Sequence, residues 1–160
     1  MSSLTIRTAT IEDVPLILHF VRELARYEKA EHEVSATEER IRDSLFGPEA
    51  LISALICEVN REPIGFAVYF FNYSTWLGKK GLFLEDLYVS PEHRGRGAGK
   101  ALLVYLANIA VAQDCGRMEW NVLNWNTPSI EFYDALGAKC QREWLGYRLS
   151  GQALHDLATA

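Results

Sequence analysis

Apolar residues in the first third of the chain recur at helical spacing. After the strand-like run LTIRT, Thr10 to Asp13 resemble a capping box. The apolar positions that follow have the spacing of an amphipathic helix: Val14, Ile17, Leu18, Val21, Leu24 and Ala25. A second capping box at Ser35 to Glu38 predicts a short helix through Ile41 and Leu45, which FGP at 46–48 ends.

The middle of the chain consists of strand-like runs. LISALICEV and IGFAVYFFNY are rich in β-branched and aromatic residues, and NREP separates them, which is typical of a hairpin. GLFLEDLYV is a third such run. We therefore predict a three-stranded antiparallel meander.

The last part of the chain alternates helix and strand signals. A glycine-rich loop, HRGRGAGK at 93–100, precedes a predicted helix from about Ala98 to Gln113, and RMEWNVLNW is the next predicted strand. Thr127 and Pro128 suit the N-cap and first position of a short helix, and Gly137 suits its C′ position. EWLGYRLS is predicted as the last strand, and GQALHDLA as a final helical turn or two.

The order of these elements, βααβββαβαβ, predicts an α+β fold around a mixed, mostly antiparallel sheet. The strand–loop–helix–strand unit at 82–123 should form a right-handed parallel crossover. Because no linker or repeat interrupts the pattern, residues 1–160 should form a single domain.

Charge and composition limit the partners. The net charge of −5 argues against nucleic acid as a partner and is compatible with a cationic substrate. Neither a signal-peptide pattern nor a run long enough to span a bilayer is present in the sequence, so no membrane is expected. The scattered Cys57, Cys115 and Cys140 favour a reduced, cytoplasmic location, and the four dispersed histidines predict no metal site.

The glycine-rich loop has the features of a phosphate site. A strand that leads through glycines into a helix presents backbone N–H groups at the positive end of the helix dipole. Arg94, Arg96 and Lys100 add positive charge. The spacing fits neither a dinucleotide fingerprint, which needs glycine at position 100, nor a Walker A loop. The alternative is a flexible basic turn, which the flanking strand and helix disfavour.

The loop and its neighbours resemble a known family. RGRGAG at 94–99 matches the R/Q-x-x-G-x-G/A signature of the GCN5-related N-acetyltransferases, and LEDLYVSPEHRGRGAG and LNWNTPSIEFYDALGA are also similar to that superfamily. Within it the chain, from about Leu4 to Leu149, most resembles the diamine and thialysine acetyltransferase branch, above all in FNYSTWLGKKGLFLEDLYV. The resemblance implies about six to seven strands, a fourth and fifth strand that splay apart at a bulge, and a homodimer.

The resemblance also implies acetyl-CoA as co-substrate, without a metal. Its pantetheine arm would insert between the splayed strands, and its pyrophosphate would lie on the glycine loop. The cofactor-binding positions implied by the match are Leu87, Tyr88, Val89, Arg94, Gly95, Arg96, Gly97, Ala98, Gly99, Lys100, Asn126, Thr127, Pro128 and Ser129.

For catalysis, the resemblance places the acid that protonates the departing thiolate at Tyr133. A tyrosine with a pKa near 10 is protonated at neutral pH, although a core tyrosine beside Phe132 is the structural alternative. Direct attack by the amine is favoured over an acyl-enzyme because no cysteine has a histidine near it in sequence. A backbone N–H near Tyr88 or Leu87 would hold the oxyanion.

Acidic and aromatic residues are the candidates for the acceptor amine. Glu85 and Asp86 are consecutive acids in an apolar strand, where side chains alternate between faces, and burying both without partners would be costly. The family match favours Glu85 as the group that binds the amine and relays its proton, whereas Asp86 has an ion pair with Arg148 as its alternative. Further acceptor-side positions implied by the match are Tyr27, Glu28, Trp76, Glu119 and Asn121. Trp76 has filling of the core as its alternative.

One departure bears on the substrate. Polyamine enzymes of this branch carry Asp-Pro before the tryptophan, where this chain has Ser74 and Thr75. We therefore expect thialysine-like or other small cationic amines to be preferred to spermidine or spermine. Two other classes stay open at this point: a protein or peptide N-acetyltransferase, and a non-catalytic acyl-CoA-binding module.

Overall fold

The computed structural model describes residues 3–160. The chain divides into two compact units, Met1–Asn121 and Val122–Ala160, of which the first is described from residue 3 onward. The single domain expected over residues 1–160 stays a prediction.

The first unit is an α+β structure, as predicted. Its strands are β1 (Leu4–Thr8), β2 (Ser53–Val59), β3 (Glu62–Ser74), β4 (Lys79–Val89) and β5 (Met118–Trp120). Its helices are α1 (Val14–Tyr27), α2 (Glu38–Phe46) and α3 (Ala98–Ala112), with 3₁₀ turns at Ile11–Asp13, Glu31–Glu33 and Pro91–His93.

The five strands form one sheet in the order β1-β2-β3-β4-β5. Neighbouring strands are antiparallel except for β4 and β5, which are parallel. The predicted meander and the predicted parallel connection are therefore confirmed. Residues 3–160 contain five strands where about six to seven were expected, and β5 covers only three residues of the predicted run RMEWNVLNW.

The start of α1 is fixed to the sheet by a buried acid. Asp13 is 8% exposed, and its carboxylate accepts a 2.7 Å hydrogen bond from the backbone N–H of Thr10, as the predicted capping box requires. The guanidinium of Arg7 on β1 binds both oxygens of Asp13, at 2.7 and 2.9 Å. The first helix is thereby held in one orientation over the sheet.

The start of α2 was predicted two residues too early. The hydroxyl of Thr37 accepts a hydrogen bond from the N–H of Arg40, so Thr37, not Ser35, is the N-cap. The carbonyl of Ser35 instead accepts from the Arg40 side chain. Both hydroxyl residues fit the sequence pattern, and only the backbone geometry selects between them.

The β2–β3 hairpin closes through a two-residue turn. Asn60 and Arg61 both have positive φ, 53° and 69°, as a type I′ turn requires. NREP predicted the hairpin correctly, although the turn uses two residues without a glycine.

The hydrophobic core lies between α1, α2 and one face of the sheet. Phe20 of α1 stacks on Phe66 of β3, with ring centroids 5.4 Å apart, and lies 5.7 Å from the ring of Tyr88 on β4. Val68 lies in the same cluster. Helix α3 covers the other face with Leu102, Leu103 and Leu106, which are buried but absent from that cluster.

The second unit contains two helices, α4 (Thr127–Ala135) and α5 (Gly151–Ala158). Helix α5 confirms the predicted final helical turns. The side-chain oxygen of Asn126 accepts from the N–H of Ser129, so Asn126 is the N-cap of α4, where Thr127 was predicted. Gly137 follows the helix with φ of 91°, as predicted for a C′ glycine.

The predicted last strand, EWLGYRLS, is wrong. Residues 143–150 are exposed and irregular, including Trp144 at 65% and Tyr147 at 93%. A strand needs a neighbour to bond its backbone groups, and the part of the second unit from 122 to 160 contains only helices as regular elements. The apolar and aromatic composition of residues 143–150 therefore does not suffice to predict a strand.

None of the helices in residues 3–160 is long and apolar enough to cross a membrane.

Candidate active site

A β-bulge in β4 organises the candidate site. Val68 of β3 lies opposite Asp86, but the next residue, Tyr69, lies opposite Leu84. Glu85 is therefore the extra residue, without a partner on β3, and the register shifts at this point.

The bulge changes which face the β4 side chains occupy. Residues directly opposite each other in a ladder share a face, so Asp86 lies on the face of Val68, beneath α1. Leu84 shares the opposite face with Tyr69. Without the bulge, strict alternation would put Leu84 and Asp86 on the same face.

The parallel ladder between β4 and β5 ends at the same point. β5 pairs only with Leu82–Leu84, through Met118–Trp120. From Glu85 to Val89, β4 pairs with no other strand of residues 3–121 on that side. The expected splaying of the fourth and fifth strands is thus present, and it leaves the edge of β4 open along Leu87, Tyr88 and Val89.

The carboxylate of Asp86 on β4 lies within the electrostatic influence of Glu28, the residue that follows α1. Asp86 and Glu28 are both half-buried, and within residues 3–121 neither side chain forms a hydrogen bond or an ion pair. Burial, together with the negative charges of Glu85 and Glu28, raises the pKa of Asp86 to about 7. Burial also raises the pKa of Glu28. No basic side chain of residues 3–121 pairs with either carboxylate, and a half-buried acidic pair of this kind should attract a cation.

Glu85 and Asp86 differ in their surroundings. The Glu85 side chain is exposed, whereas Asp86 is half-buried. The prediction that Glu85 binds the amine and relays its proton therefore concerns the more exposed of the two acids.

The glycine loop is shaped by backbone conformation. Gly95 and Gly97 have φ of 76° and 85°, in the left-handed region that favours glycine. A Cβ at Gly95, Gly97 or Gly99 would meet no atom within 4 Å, so the space beside the loop is open. Gly97 is the N-cap of α3 and provides no side-chain cap, which leaves the first N–H groups of that helix available to a ligand.

The basic residues of the loop differ in what they contact. The Nε–H of Arg94 donates to the carbonyl of Val89 at 2.8 Å. Lys100 is exposed and lines an open groove along α3, with a volume of about 410 Å³, that begins at Gly97. Arg96 is exposed and borders a cavity of about 100 Å³ on the β1 side of the loop.

The β3–β4 turn carries the Ser-Thr-Trp sequence. Trp76 is 84% exposed, which excludes the alternative that it fills the core. Ser74 is 5% exposed, and its hydroxyl accepts a hydrogen bond from the N–H of Leu77. The serine therefore holds the turn, and the tryptophan is presented on the surface.

The remaining acceptor-side residues of the first unit lie on or just after β5. Glu119 is half-buried and forms an ion pair with Arg117 at 3.0 Å. Asn121 is exposed. The pairing of Glu119 makes it a weaker candidate for a substrate cation than Asp86.

The second unit carries the other predicted residues at the start and middle of α4. Asn126 is 8% exposed, and Thr127, Pro128 and Ser129 form the first turn of the helix. The ring of Tyr133 lies 5.6 Å from that of Phe132.

Known proteins of similar sequence identify the family of this chain. The model of the family described as "Acetyltransferase (GNAT) family" matches residues 18–138. The chain belongs to this acetyltransferase family. Thialysine N-epsilon-acetyltransferase of Sus scrofa is 36% identical, and the match covers 99% of both chains. Spermidine/spermine N(1)-acetyltransferase-like protein 1 of Homo sapiens is 34% identical over 99% of this chain and 24% of its own.

A solved structure shares the fold. The integron cassette protein VCH_CASS6 of V. cholerae superposes with a TM-score of 0.82 at 28% identity, over 99% of both chains. The predicted family, the predicted thialysine-type branch and the assignment as an acetyltransferase are confirmed by these matches.

Sequence reasoning missed the contacts of Arg94 and the facing of Asp86. The resemblance implied a bulge between the splayed strands, but not that Glu85 is the extra residue. Two consecutive acids within LFLEDLYV were the available signal. Strict alternation in a strand covered on both faces would bury both acids, whereas an extra residue at a bulge lets one of them remain exposed. Nothing in the sequence indicated which tyrosines surround Arg94.

The raised pKa of Asp86 gives a testable pH dependence of stability. Between about pH 4 and pH 7 the folded protein holds this proton and the unfolded chain releases it, so folding stability should fall as the pH rises. Asp86→Asn removes the carboxyl group whose ionisation lowers the stability of the folded protein. We expect the variant to be more stable than wild type at pH 8, by about 1–2 kcal/mol after allowance for solvent screening. The two should be equal near pH 3.5.

Urea unfolding at both pH values measures this difference. Glu62→Gln, at an exposed position on the β2–β3 hairpin, is the matched control and should show little pH-dependent gain. A less stable Asp86→Asn protein at pH 8 would show that the carboxylate has a stabilising partner.

Proposed function

We propose that this protein transfers an acetyl group from acetyl-CoA to the primary amine of a small cationic molecule, with thialysine-like amines ahead of polyamines. The observation that carries the proposal is the half-buried pair of Asp86 and Glu28, which has no cation within residues 3–121 and lies where the edge of β4 is open. The names of the relatives support the same class of acceptor.

The acidic pair would first bind the ammonium group of the acceptor. A cation close to Asp86 favours its ionised form and lowers its pKa, which reverses the effect of burial. Glu28 contributes a second negative charge from the end of α1. Binding of the cation and ionisation of Asp86 therefore support each other.

The amine must lose a proton before it attacks. A base works best when its pKa lies near the working pH. The bound ammonium lowers the pKa of Asp86, but once the amine is neutral this effect is gone, and burial and the neighbouring acids return the pKa of Asp86 to about 7. We assign proton acceptance to Asp86, directly or through water. Glu85, exposed beside it, would pass the proton to solvent, which retains for Glu85 the relay role that the family match implied.

The neutral amine would then attack the thioester carbonyl. Attack would form the C–N bond and give a tetrahedral oxyanion whose nitrogen carries one extra proton. Collapse of this intermediate would break the C–S bond, so that the sulfur leaves as a thiolate and the nitrogen releases its extra proton to water. Backbone N–H groups along the open edge of β4, near Leu87 and Tyr88, would stabilise the oxyanion. Tyr133 would donate its phenolic proton to the thiolate, an assignment that rests on the family motif.

The glycine loop suits the diphosphate of acetyl-CoA. Open space at Gly95, Gly97 and Gly99 lets an anion approach the N–H groups at the start of α3. Lys100, which borders the groove along α3, supplies positive charge near the start of that helix. Asn126, Thr127, Pro128 and Ser129 are proposed as further contacts from the family match.

The Ser-Thr-Trp turn favours a short acceptor. Ser74 is used within the turn, so this position offers no carboxylate to a distant second ammonium. A lysine-like amine needs none there. The homodimer, the cytoplasmic location and the absence of nucleic-acid and membrane partners remain predictions.

Gly97→Asp tests the placement of the cofactor. We expect at least a tenfold weaker affinity for CoA by calorimetry, because the carboxylate adds bulk and negative charge against phosphate. Gly78→Asp is the matched control, since Gly78 also has positive φ and open space but lies in the β3–β4 turn. Unchanged affinity in Gly97→Asp would remove the diphosphate from the loop.

Tyr133→Phe tests the acid. Loss of a proton donor should lower kcat about 10²- to 10⁴-fold, with affinity for acetyl-CoA nearly unchanged. Tyr147→Phe, at a 93% exposed position of the same unit, should retain full activity. If kcat of Tyr133→Phe matched that of wild type across the pH range, another group would supply the proton.

A thiol-release screen tests the reaction and its acceptor. Acetyl-CoA would be supplied with thialysine, lysine, ornithine, spermidine, spermine, aminoglycosides and peptides. We expect the largest kcat/KM for thialysine-like amines. A wide preference for polyamines would overturn the substrate order, and binding of acetyl-CoA without turnover of any amine would indicate a non-catalytic module.

A further inference from the structure

Arg94 lies between two tyrosine rings from different elements. Its guanidinium carbon is 4.8 Å from the ring centroid of Tyr27, the last residue of α1, and 5.6 Å from that of Tyr88 on β4. Both distances are within the range of a cation–π interaction. Its Nε–H also donates to the carbonyl of Val89. The side chain thus connects the glycine loop to the end of α1 and to β4.

These contacts change the role expected of Arg94. The guanidinium of Arg94 lies near two rings and has already donated one N–H to Val89, so part of its donor set is engaged within the protein. Arg96 and Lys100 are exposed, as Arg94 is, but neither has a side-chain hydrogen bond or an ion pair within residues 3–121. Arg96 and Lys100 are therefore better candidates than Arg94 to form ion pairs with the phosphate groups.

We propose that Arg94 is a positioning residue that holds the glycine loop against Tyr27, so that Tyr27, a residue of α1, contributes to the affinity for acetyl-CoA. The inference rests on the proposed function. Residues 94–97 include two glycines in the left-handed region, and such a loop has many conformations when it is not anchored. Anchoring Arg94 at its first residue lowers the entropy that the loop loses when it closes around a diphosphate.

The contact between Arg94 and Tyr27 also connects the glycine loop to the acidic pair of Asp86 and Glu28. Tyr27 precedes Glu28, whose carboxylate raises the pKa of Asp86. A loop that is ordered by acetyl-CoA would order Tyr27 through Arg94, and with it the end of the helix that carries Glu28. Cofactor and acceptor amine would then favour each other's binding.

Calorimetric titration with CoA tests the proposal without turnover. We expect Tyr27→Leu to weaken CoA binding about two- to tenfold, the loss of a partly exposed cation–π contact. Tyr27→Phe keeps the ring and should therefore lose less affinity for CoA than Tyr27→Leu does. In an Arg94→Gln background, Tyr27→Leu should cause no further loss, because both changes remove the same contact.

Salt dependence separates positioning from direct phosphate contact. The decrease of CoA affinity between 50 mM and 500 mM NaCl should be as steep for Arg94→Gln as for wild type, whereas Arg96→Gln should make it shallower. Melting temperatures of all variants show whether each is folded. Equal CoA affinity in Tyr27→Leu and wild type, or a slope in Arg94→Gln as shallow as in Arg96→Gln, would overturn the positioning role. Failure of wild-type protein to bind CoA would overturn the proposed function as well.

Discussion

One extra residue in β4 is the constraint on which the candidate site depends. The bulge at Glu85 interrupts the ladder with β3 and coincides with the end of the ladder with β5. It turns Asp86 toward α1, and within residues 3–121 the backbone that follows has no strand partner on one side. The placement of Asp86 and the open strand edge thus coincide at a single irregularity.

The energetics of this arrangement favour a site that binds a cation. A half-buried carboxylate whose pKa is raised to about 7 lowers the stability of the folded protein at neutral pH, and a like charge at Glu28 adds to that cost. Packing on the same face offsets it, because Phe20, Phe66 and Tyr88 form a tight aromatic cluster next to the acids. An electrostatic cost of this kind, in which a buried acid lowers the stability of the folded protein, is typical of functional sites.

Local patterns gave most of the fold, and long-range contacts were the part that could not be predicted. Periodicity identified α1 and α3, and the glycine spacing identified the loop, because each depends on neighbours in sequence. The strand predicted at EWLGYRLS failed because strand formation depends on a partner that composition does not reveal. The surroundings of Arg94 could not be predicted for the same reason, since Tyr27 is far from Arg94 in sequence.

The buried hydroxyl of Ser74 has a consequence for how substrate range can change in this family. The residue before the tryptophan turn is also the one that closes the β3–β4 hairpin, through its bond to Leu77. Aspartate at this position would keep an oxygen acceptor for the same N–H of Leu77, because Asp forms local turns of this kind as Ser does. The charge of the turn could therefore be changed by a single substitution while the hairpin is retained.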